Sequence, residues 1–462
     1  MPTLIDHTKN KMLPWIAALA FFMQMLDSTI LNTALPAIAL SLNTTALGLQ
    51  SAVISYALTV AMLIPISGWL ADRFGTRIIF IIAVVLFSLG SLLCALSPTL
   101  LLLVCARIIQ GIGGAMMMPV ARLAILRAYP RHQLLAIMNF IAIPGLIGPV
   151  LGPLFGGWLV TYATWHWIFL INLPIGIIGI ICAYRTMPNF KTQTKPFDYY
   201  GFILFGSSLA IISMSLVFIG DNIVSLYNSL FILVIGFALL LLYSIHAKYY
   251  LTPLISLSLF KIRTFSVGII GSVVSRLGIA CIPFLMPLMF QIVFNYTPLQ
   301  AGLMMCPLAL GSLAAKSFVV KILHVLGYRV TLMSVTCLMG LMIAQFALYS
   351  PNHSFWWLVG PLFIMGVLMS IHFSAMNTIT LVDLNENNGS EGNSLMAVTQ
   401  QISMSFGIAM STILLNVFST YSSGALIDNF HHTFLVMGVA TLFSAIVFSF
   451  LKPNDGDILT SR

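Results

Sequence analysis

The sequence predicts an all-α integral membrane protein with 14 transmembrane helices, arranged as two six-helix bundles with two extra helices between them. Of the 462 residues, 60% are hydrophobic and only 7% are charged, whereas an ordinary soluble protein has roughly 25% charged residues. The apolar residues form long runs, and the cations are scattered singly between these runs. These observations exclude a soluble globular enzyme, a disordered chain and a nucleic-acid-binding domain.

The number of helices follows from the length of the apolar runs. A helix needs about 20 mostly apolar residues to cross a hydrocarbon layer of ~30 Å. The loops between the runs are short and contain Pro, Asn, Ser or Gly, so no soluble domain is expected. The predicted spans are 13–38, 50–70, 78–96, 101–121, 134–158, 165–184, 200–219, 228–247, 265–290, 299–320, 331–349, 354–380, 395–418 and 431–451.

The basic residues predict the orientation of the chain, because Lys and Arg accumulate in cytoplasmic loops. If both termini are cytoplasmic, the cytoplasmic segments carry every cation except Arg107, Arg276 and Lys316, which lie inside predicted helices. A missing or additional helix would mix the two sides, so this distribution supports the count of 14. The net charge of +9 is therefore attributed to membrane topology, and no nucleic-acid partner is expected.

An internal repeat divides the chain into halves. Residues 68–77 follow the second predicted helix, and the weaker copy at 320–329 follows the tenth. The alignment pairs Gly75 with Gly327, and it also pairs the arginines that follow two residues later. Two repeated halves around a central pathway are a common transporter plan.

The predicted domains follow this repeat. Residues 1–190 form the first six-helix bundle, residues 191–262 hold the two inserted helices, and residues 263–462 form the second bundle with a short cytoplasmic tail.

Five stretches give the chain a family resemblance. They are 26–36 (LDSTILNTALP), 68–77 (GWLADRFGTR), 107–115 (RIIQGIGGA), 148–157 (GPVLGPLFGG) and 165–174 (WHWIFLINLP). In this order they resemble the major facilitator superfamily, in particular its fourteen-helix drug:proton antiporter branch of the EmrB/QacA type. Thr76 and His166 stand where that branch usually has basic residues. The resemblance implies the superfamily fold, alternating access and exchange of protons for solute.

Asp27 is the only acidic residue well inside a predicted span. A carboxylate at that depth is costly and is expected to face the bundle interior or a water-filled cavity. Because burial favours the uncharged form, Asp27 could load and release a proton. We interpret it as a proton carrier or substrate contact. The alternative is a permanently ionised partner of a helix cation.

Arg107 lies in the middle of the fourth predicted helix, with Gln110 one turn away on the same face. A buried guanidinium needs a partner or water. The resemblance implies a role in proton transfer, and the alternative is a structural polar network. Whether Arg107 contacts Asp27 stays open at the level of sequence.

The fifth predicted helix repeats glycine every four residues and is interrupted by prolines. These residues are Gly148, Pro149, Gly152, Pro153, Gly156 and Gly157. A glycine face permits close approach of another backbone, and the prolines bend the helix. The resemblance implies a tight seam between the two halves that limits leak. Plain close packing is the alternative.

The loop after the second predicted helix contains Gly68, Asp72, Arg73, Gly75 and Arg77. The glycines are expected to allow a tight turn. The resemblance implies a latch in which Asp72 contacts a neighbouring helix end in one state and releases it in the other. Alternatively, the arginines only set the topology.

Arg276 and Lys316 are further cations inside predicted spans. At the offset of the repeat, Asp27 corresponds to position 279, about one turn from Arg276. With Arg107, the interior would then hold three cations and one acid, a field that suits anionic substrates or metal chelates. The alternative is that Lys316 reaches the interface and Arg276 joins a polar network.

These features predict a proton-coupled secondary active transporter, a multidrug or small-molecule exporter that works by alternating access. The alternative is an exporter of a specific organic anion or metal chelate resembling citrate or a siderophore. No phosphate-binding loop is present, since Ala315 rather than Gly precedes Lys316-Ser317, so an ATP-driven pump is disfavoured. A membrane enzyme, a channel and a receptor with a transporter fold are the rivals that a vesicle assay would separate.

The expected partners are a small-molecule substrate, protons and the lipid bilayer, and any accessory efflux protein stays open. No cofactor is expected. No metal site is expected either, because the six cysteines lack CxxC spacing and His431-His432 has no further ligands nearby. The resemblance implies a multi-pass protein of the bacterial inner membrane with both termini cytoplasmic.

Overall fold

A computed structural model describes residues 12–192, 196–221, 224–351, 355–384, 389–421 and 425–456. Within these ranges the regular structure is helical. The first half contains α1 Leu13–Ser41, α2 Gln50–Phe74, α3 Thr76–Ala95, α4 Leu100–Ala128, α5 Arg131–Tyr162, α6 Trp167–Leu170 and α7 Asn172–Thr186. The remainder contains α8 Tyr199–Asp221, α9 Leu226–Tyr249, α10 Arg263–Ile279, α11 Cys281–Ile292, α12 Pro298–Ala315, α13 Val319–Gln345, α14 Phe355–Leu381, α15 Gly389–Tyr421 and α16 Leu426–Ser444.

Two pairs of these helices each form one interrupted span. The helices α6 and α7 together make an apolar span, as do α10 and α11. Counted in this way, 13 helices of the described chain are long and apolar enough to cross a membrane. The helix α5 is the fourteenth, with its apolar part at Ile147–Tyr162. The predicted fold class is thus confirmed. The predicted cytoplasmic termini, 1–11 and 457–462, lie outside the described residues.

The two halves pack internally through different helix pairs. In the first half α1 lies along α5, and α4 packs against both α2 and α3. In the second half α12 packs on α14, α13 on α16, and α10 on α15. The halves meet where α5 contacts α12, where α2 contacts α15, and where α1 contacts α11. We call the surface between α5 and α12 the bundle seam.

The inserted helices α8 and α9 pack on each other, and α8 also contacts α2 and α15. Asp198 fastens the base of this hairpin. Its carboxylate accepts hydrogen bonds from His246 Nε2 at 2.8 Å, from the Gly201 amide at 2.8 Å and from the Leu254 amide at 3.1 Å. Because α8 contacts both α2 and α15, the hairpin lies beside a contact between the two halves.

The repeated turns share an unusual backbone. Gly75, between α2 and α3, has φ +106°, and Gly327, inside the kinked α13, has φ +73°. Both values lie in a region that glycine adopts at little cost. We call the end of the molecule that carries the Gly75 turn the basic end.

Candidate functional site

Asp27 lies near the middle of α1, and its side chain is only 1% exposed. The helix α4 brings Arg107 Nη1 to 2.7 Å from Asp27 Oδ2. The Arg107 side chain is 2% exposed. The contact that the sequence left open is therefore a buried ion pair.

Gln110 closes a ring with these two side chains. Its Nε2 donates to Asp27 Oδ1 at 2.7 Å, and its Oε1 accepts from Arg107 Nη1 at 2.7 Å. The one-turn spacing on α4 puts both groups on the same face of the helix. Both carboxylate oxygens of Asp27 and Nη1 of Arg107 consequently have hydrogen-bond partners, as buried charges require.

Two residues that the sequence analysis did not select, Asn172 and Ser91, extend this hydrogen-bonded ring. Asn172, the first residue of α7, donates Nδ2 to Asp27 Oδ1 at 3.2 Å and to Ser91 Oγ at 3.2 Å. Ser91 on α3 also accepts from Gln110 Nε2 at 2.8 Å. Asn172 lies in the family-like stretch 165–174, which was the available signal. Ser91 has no comparable signal.

The helix α2 supplies the remaining contacts of Arg107. Arg107 Nε donates to the Ala52 carbonyl at 3.3 Å, and the guanidinium carbon lies 4.2 Å from the ring centroid of Tyr56. A cation over an aromatic face is attracted to it. Nothing in the spacing of the sequence marks Tyr56. We call Asp27, Arg107, Gln110, Ser91, Asn172 and Tyr56 the Asp27 cluster.

Glycines explain how the helices approach closely enough to build this cluster. A Cβ at Gly90 would lie 2.4 Å from the Gln110 backbone nitrogen, and one at Gly113 would lie 2.4 Å from the Ala83 carbonyl oxygen. At Gly111 it would lie 2.8 Å from Thr59 Cβ. The small residues of the fourth-helix motif therefore bring α4 against α2 and α3.

Arg276 lies in the second bundle, away from the Asp27 cluster. Its Nε donates to Ser272 Oγ at 3.0 Å, and its guanidinium carbon lies 4.2 Å from the Phe373 ring centroid. The residue is 7% exposed. None of the ion pairs found within the described residues includes it.

Lys316 lies in the short interruption between α12 and α13, so its position inside the tenth span stays a prediction. Lys316 follows the last residue of α12, is exposed, and donates Nζ to Ser374 Oγ at 3.0 Å. The turn that corresponds to Gly75 lies at Gly327, further along the chain, so Lys316 precedes the loop end of this span. Of the three cations predicted inside spans, Arg107 and Arg276 are buried, whereas Lys316 is exposed.

The predicted role of the glycine repeat also needs correction. A Cβ at Gly148 would lie 2.8 Å from Met25 Cβ. At Gly152 it would lie 2.0 Å from Thr29 Oγ1, and at Gly156 it would lie 2.3 Å from Thr33 Oγ1. Because these neighbours are on α1, the three glycines pack within the first bundle, against the helix that carries Asp27.

The bundle seam uses a different face of α5. A Cβ at Gly157 would lie 2.3 Å from the Pro298 carbonyl oxygen, and one at Gly302 would lie 2.2 Å from the Pro153 carbonyl oxygen. The Leu299 amide donates to Thr161 Oγ1 at 3.2 Å. These contacts lie near the end of α5 that is remote from the basic end. Pro149, also inside α5, is partly buried.

The loop motif lies at the end of α2. Asp72 Oδ1 is 2.5 Å from Arg127 Nη2 near the end of α4, and the guanidinium carbon of Arg73 lies 5.0 Å from the Trp69 ring centroid. Gly75 makes the turn through its positive φ. The predicted turn role of Gly68 is wrong, because Gly68 lies inside α2, and a Cβ there would meet nothing within 4 Å.

The segment after α7 is fastened to this turn. The Thr76 amide donates to the Phe190 carbonyl at 3.1 Å, and Thr76 Oγ1 donates to the Pro188 carbonyl at 3.0 Å. The Arg77 amide donates to Asn189 Oδ1 at 3.1 Å. Thr76, which departs from the family pattern, thus contributes to this junction.

Comparison with known proteins matches residues 17–408 and 270–458 to the Major Facilitator Superfamily. A protein of Pectobacterium atrosepticum named "Putative multidrug resistance protein MdtD" is 46% identical over 446 residues, which cover 95% of each chain. The protein of the same name from Escherichia coli K12 (strain DH10B) is 44% identical over 461 residues, covering 98% of this chain and 97% of the other.

Solved transporters share the fold at low sequence identity. A peptide transporter of the POT family, in complex with sulfate, gives a TM-score of 0.72 at 13% identity and covers 97% of this chain and 95% of its own. A D-xylose–proton symporter gives 0.66 at 15% identity, covering 96% and 98%.

The fold and the buried polar cluster define a multi-pass membrane transporter built from two helical bundles. The chain belongs to the Major Facilitator Superfamily.

Proposed function

We propose that this protein is a proton-coupled secondary transporter that exports small molecules of multidrug type by alternating access. The observation that carries the proposal is the buried Asp27 carboxylate, held by Arg107 and Gln110 at the middle of α1. An ionisable group at this depth marks an ion or substrate pathway. The names of the relatives support the multidrug assignment.

The Asp27 cluster can exchange a proton for a charge contact. While Asp27 is ionised, Arg107 and the amide of Gln110 neutralise and solvate it. Protonation removes the charge and with it the main attraction to Arg107. Arg107 would then be free to change partners, which gives the cluster two arrangements that a substrate can bias.

The packing of α1 offers a route from this exchange to the opening between the halves. Gly152 and Gly156 hold α5 against α1 near Asp27, while Gly157 on the other side of α5 contacts α12 across the bundle seam. A shift of α1 would therefore displace α5, and the movement of α5 would in turn displace α12 in the second bundle. In this proposal α5 transmits the change as one rigid element.

The loop motif is proposed to hold one state at the basic end. The Asp72–Arg127 pair joins the ends of α2 and α4, and both side chains are partly exposed. Separation of these helix ends would break the pair, as a latch requires. We place this end, together with both termini, in the cytoplasm of a bacterial cell, with the spans in the inner membrane.

The alternative substrate class, a specific organic anion or metal chelate instead of drugs, has less support. This class was argued from three cations inside the spans, of which only Arg107 and Arg276 are buried, and Arg107 is already paired with Asp27. The relatives carry a multidrug name. Arg276 is the remaining feature that concerns anions.

The test is transport by purified protein in proteoliposomes that contain a pH-sensitive dye. With an imposed pH gradient, we expect accumulation of ethidium, a fluorescent lipophilic cation, together with proton movement in the opposite direction. Asp27→Asn should abolish both, because an amide cannot carry the proton. Asp428→Asn is the matched control, since that acid caps the start of α16 and should leave both signals intact.

Two results would reject the proposal. One is equal ethidium movement after the proton and voltage gradients are collapsed. The other is gradient-driven transport by the Asp27→Asn variant at the wild-type rate. Insertion of the variant into the membrane is checked by its yield after reconstitution, so that a folding defect is not mistaken for loss of coupling.

A further inference from the structure

Arg276 and Arg107 have similar surroundings in the two bundles. Each has an aromatic ring over the guanidinium and an oxygen that accepts from Nε, an arrangement that we call a frame. In each case the guanidinium carbon lies 4.2 Å from the centroid of an aromatic ring, Phe373 for Arg276 and Tyr56 for Arg107. In each case Nε donates to an oxygen, Ser272 Oγ at 3.0 Å or the Ala52 carbonyl at 3.3 Å. The frames differ in one component, because Arg107 has a carboxylate and Arg276 has none among the described residues.

The sequence places no acid of the second half inside a predicted span. Arg276 lies near the middle of the α10–α11 span, as Asp27 lies near the middle of α1. The acids of the second half all lie outside the predicted spans. They are Asp383, Glu386, Glu391, Asp428, Asp455 and Asp457. The positive charge of Arg276 is therefore not balanced by this chain within the described bundle.

His372, a titratable side chain of the same bundle, does not balance this charge either. His372 is 1% exposed, and its ring contacts Ser275 Oγ through Nε2 at 3.0 Å and Thr336 Oγ1 through Nδ1 at 3.2 Å. Ser275 Oγ donates to the Gly271 carbonyl at 2.7 Å, so it is available to accept from Nε2–H of a neutral ring. A histidine has no anionic form that could serve as a counter-ion.

A buried and unbalanced guanidinium retains strong unused donors. Phe373 covers a face of the Arg276 group and Ser272 takes Nε, which leaves the edge formed by the two Nη atoms. That edge is planar, always charged and matched to two oxygens of one carboxylate or sulfonate. Intramembrane charges of this kind are usually paired or functional.

We propose that Arg276 binds the anionic group of a substrate, a carboxylate or sulfonate on an apolar body that lies beside Phe373. The proposal rests on the proposed transport function and adds a substrate class to it. In the first bundle the carboxylate belongs to the protein, and in the second it would be supplied by acidic substrates, a class that this proposal adds to the cations probed with ethidium. Acidic amphiphiles would therefore bind more tightly than neutral molecules of the same shape.

The test compares 2-naphthoate with 2-naphthamide, which share a ring system and differ in charge. Binding to the full-length purified protein is measured by calorimetry. The wild type should bind naphthoate about ten-fold more tightly than naphthamide or better. Arg276→Gln should reduce this ratio to near one, and Arg276→Lys should give an intermediate ratio because it keeps the charge but loses the fork of donors.

Arg263→Gln is the matched control for loss of a positive charge. Arg263 lies at the exposed start of α10, paired with Asp455 at 2.5 Å, and its removal should leave the ratio at the wild-type value. If Arg276→Gln does not fold, the Arg276→Lys ratio decides alone. An unchanged ratio in that variant would count against recognition through the guanidinium fork.

Three outcomes overturn the proposal. Naphthoate and naphthamide could bind the wild type equally, Arg276→Gln could weaken both alike, or chloride alone could compete as well as naphthoate does. The last result would assign the site to an inorganic anion.

Failure of the proposed transport function would be distinguishable from these outcomes, since wild-type ethidium transport would then be independent of the proton gradient.

Discussion

The two buried arginines show how similar frames can serve different tasks. Arg107 and Arg276 each lie over an aromatic ring and donate through Nε, yet only Arg107 has an acid of the protein beside it. The carboxylate of an ion pair such as Asp27–Arg107 can itself accept or release a proton. A buried cation without an acid beside it, such as Arg276, needs a counter-charge from outside the chain. In our proposals, the first bundle exchanges the proton and the second recognises the charge of acidic substrates.

The largest difference in stability is expected between the variants that remove one of the two arginines. Arg107→Gln leaves Asp27 buried without its cation, and breaking a buried pair in this way costs about 3–5 kcal/mol. Arg276→Gln removes a charge that has no acidic partner among the described residues and gives up only the contacts with Ser272 and Phe373, so we expect a smaller loss of stability. Thermal unfolding of both variants in one detergent measures the difference. Equal decreases in Tm would end the comparison.

A carboxylate placed beside Arg276 should make the second site resemble the first. Ser272 lies one turn from Arg276 on α10 and already contacts its Nε at 3.0 Å. We expect Ser272→Asp to reduce naphthoate affinity about ten-fold or more, because the new acid takes the place of the ligand. Ser272→Asn has nearly the same size without the charge and serves as the control. If both variants lose affinity equally, volume rather than charge is responsible.

A substitution that disturbs the packing of α5 on α1 is predicted to reduce stability by an intermediate amount. Gly152→Ala places a methyl group 2.0 Å from Thr29 Oγ1, two residues from Asp27, and overpacking of this kind typically costs about 1–3 kcal/mol. Gly68→Ala adds the same atom where nothing lies within 4 Å. Tm and ethidium transport should therefore fall for Gly152→Ala only. A similar loss for Gly68→Ala would indicate that glycine is needed there for another reason.

Loss of the Asp72–Arg127 ion pair, the proposed latch, should have the smallest effect on stability. Both side chains are partly exposed, at 30% and 24%, and exposed pairs contribute about 0–1 kcal/mol. Asp72→Asn is expected to slow transport several-fold while Tm changes little. The exchange variant Asp72→Arg with Arg127→Asp should recover part of the rate. Failure of the exchange to recover any rate would argue against a contact between these two residues in the transport cycle.

Sequence reasoning predicted the elements that depend on one apolar run or one isolated charge. The 14 spans follow from run length, and Asp27 is conspicuous because no other acid lies deep in a span. Ser91 and Tyr56 could not be identified, because serine and tyrosine are common in such helices and only the approach of α2 and α3 to α4 gives them a role.

The errors have a common physical origin. The glycine repeat indicates a close helix contact but not its partner, so Gly148, Gly152 and Gly156 were assigned to the wrong seam. Gly68 resembles a turn glycine until the helix α2 is seen to continue past it. Each error concerns a three-dimensional neighbour or a helix end, which periodicity leaves undetermined.

The most direct test of the central claim is proton release when substrate binds. Purified protein in weakly buffered detergent is mixed with ethidium, and a pH-sensitive dye reports the protons released at several pH values. We predict release from the wild type and none from Asp27→Asn, because we propose that the buried carboxyl of Asp27 is the group that exchanges the proton. Equal release from both proteins would contradict the account.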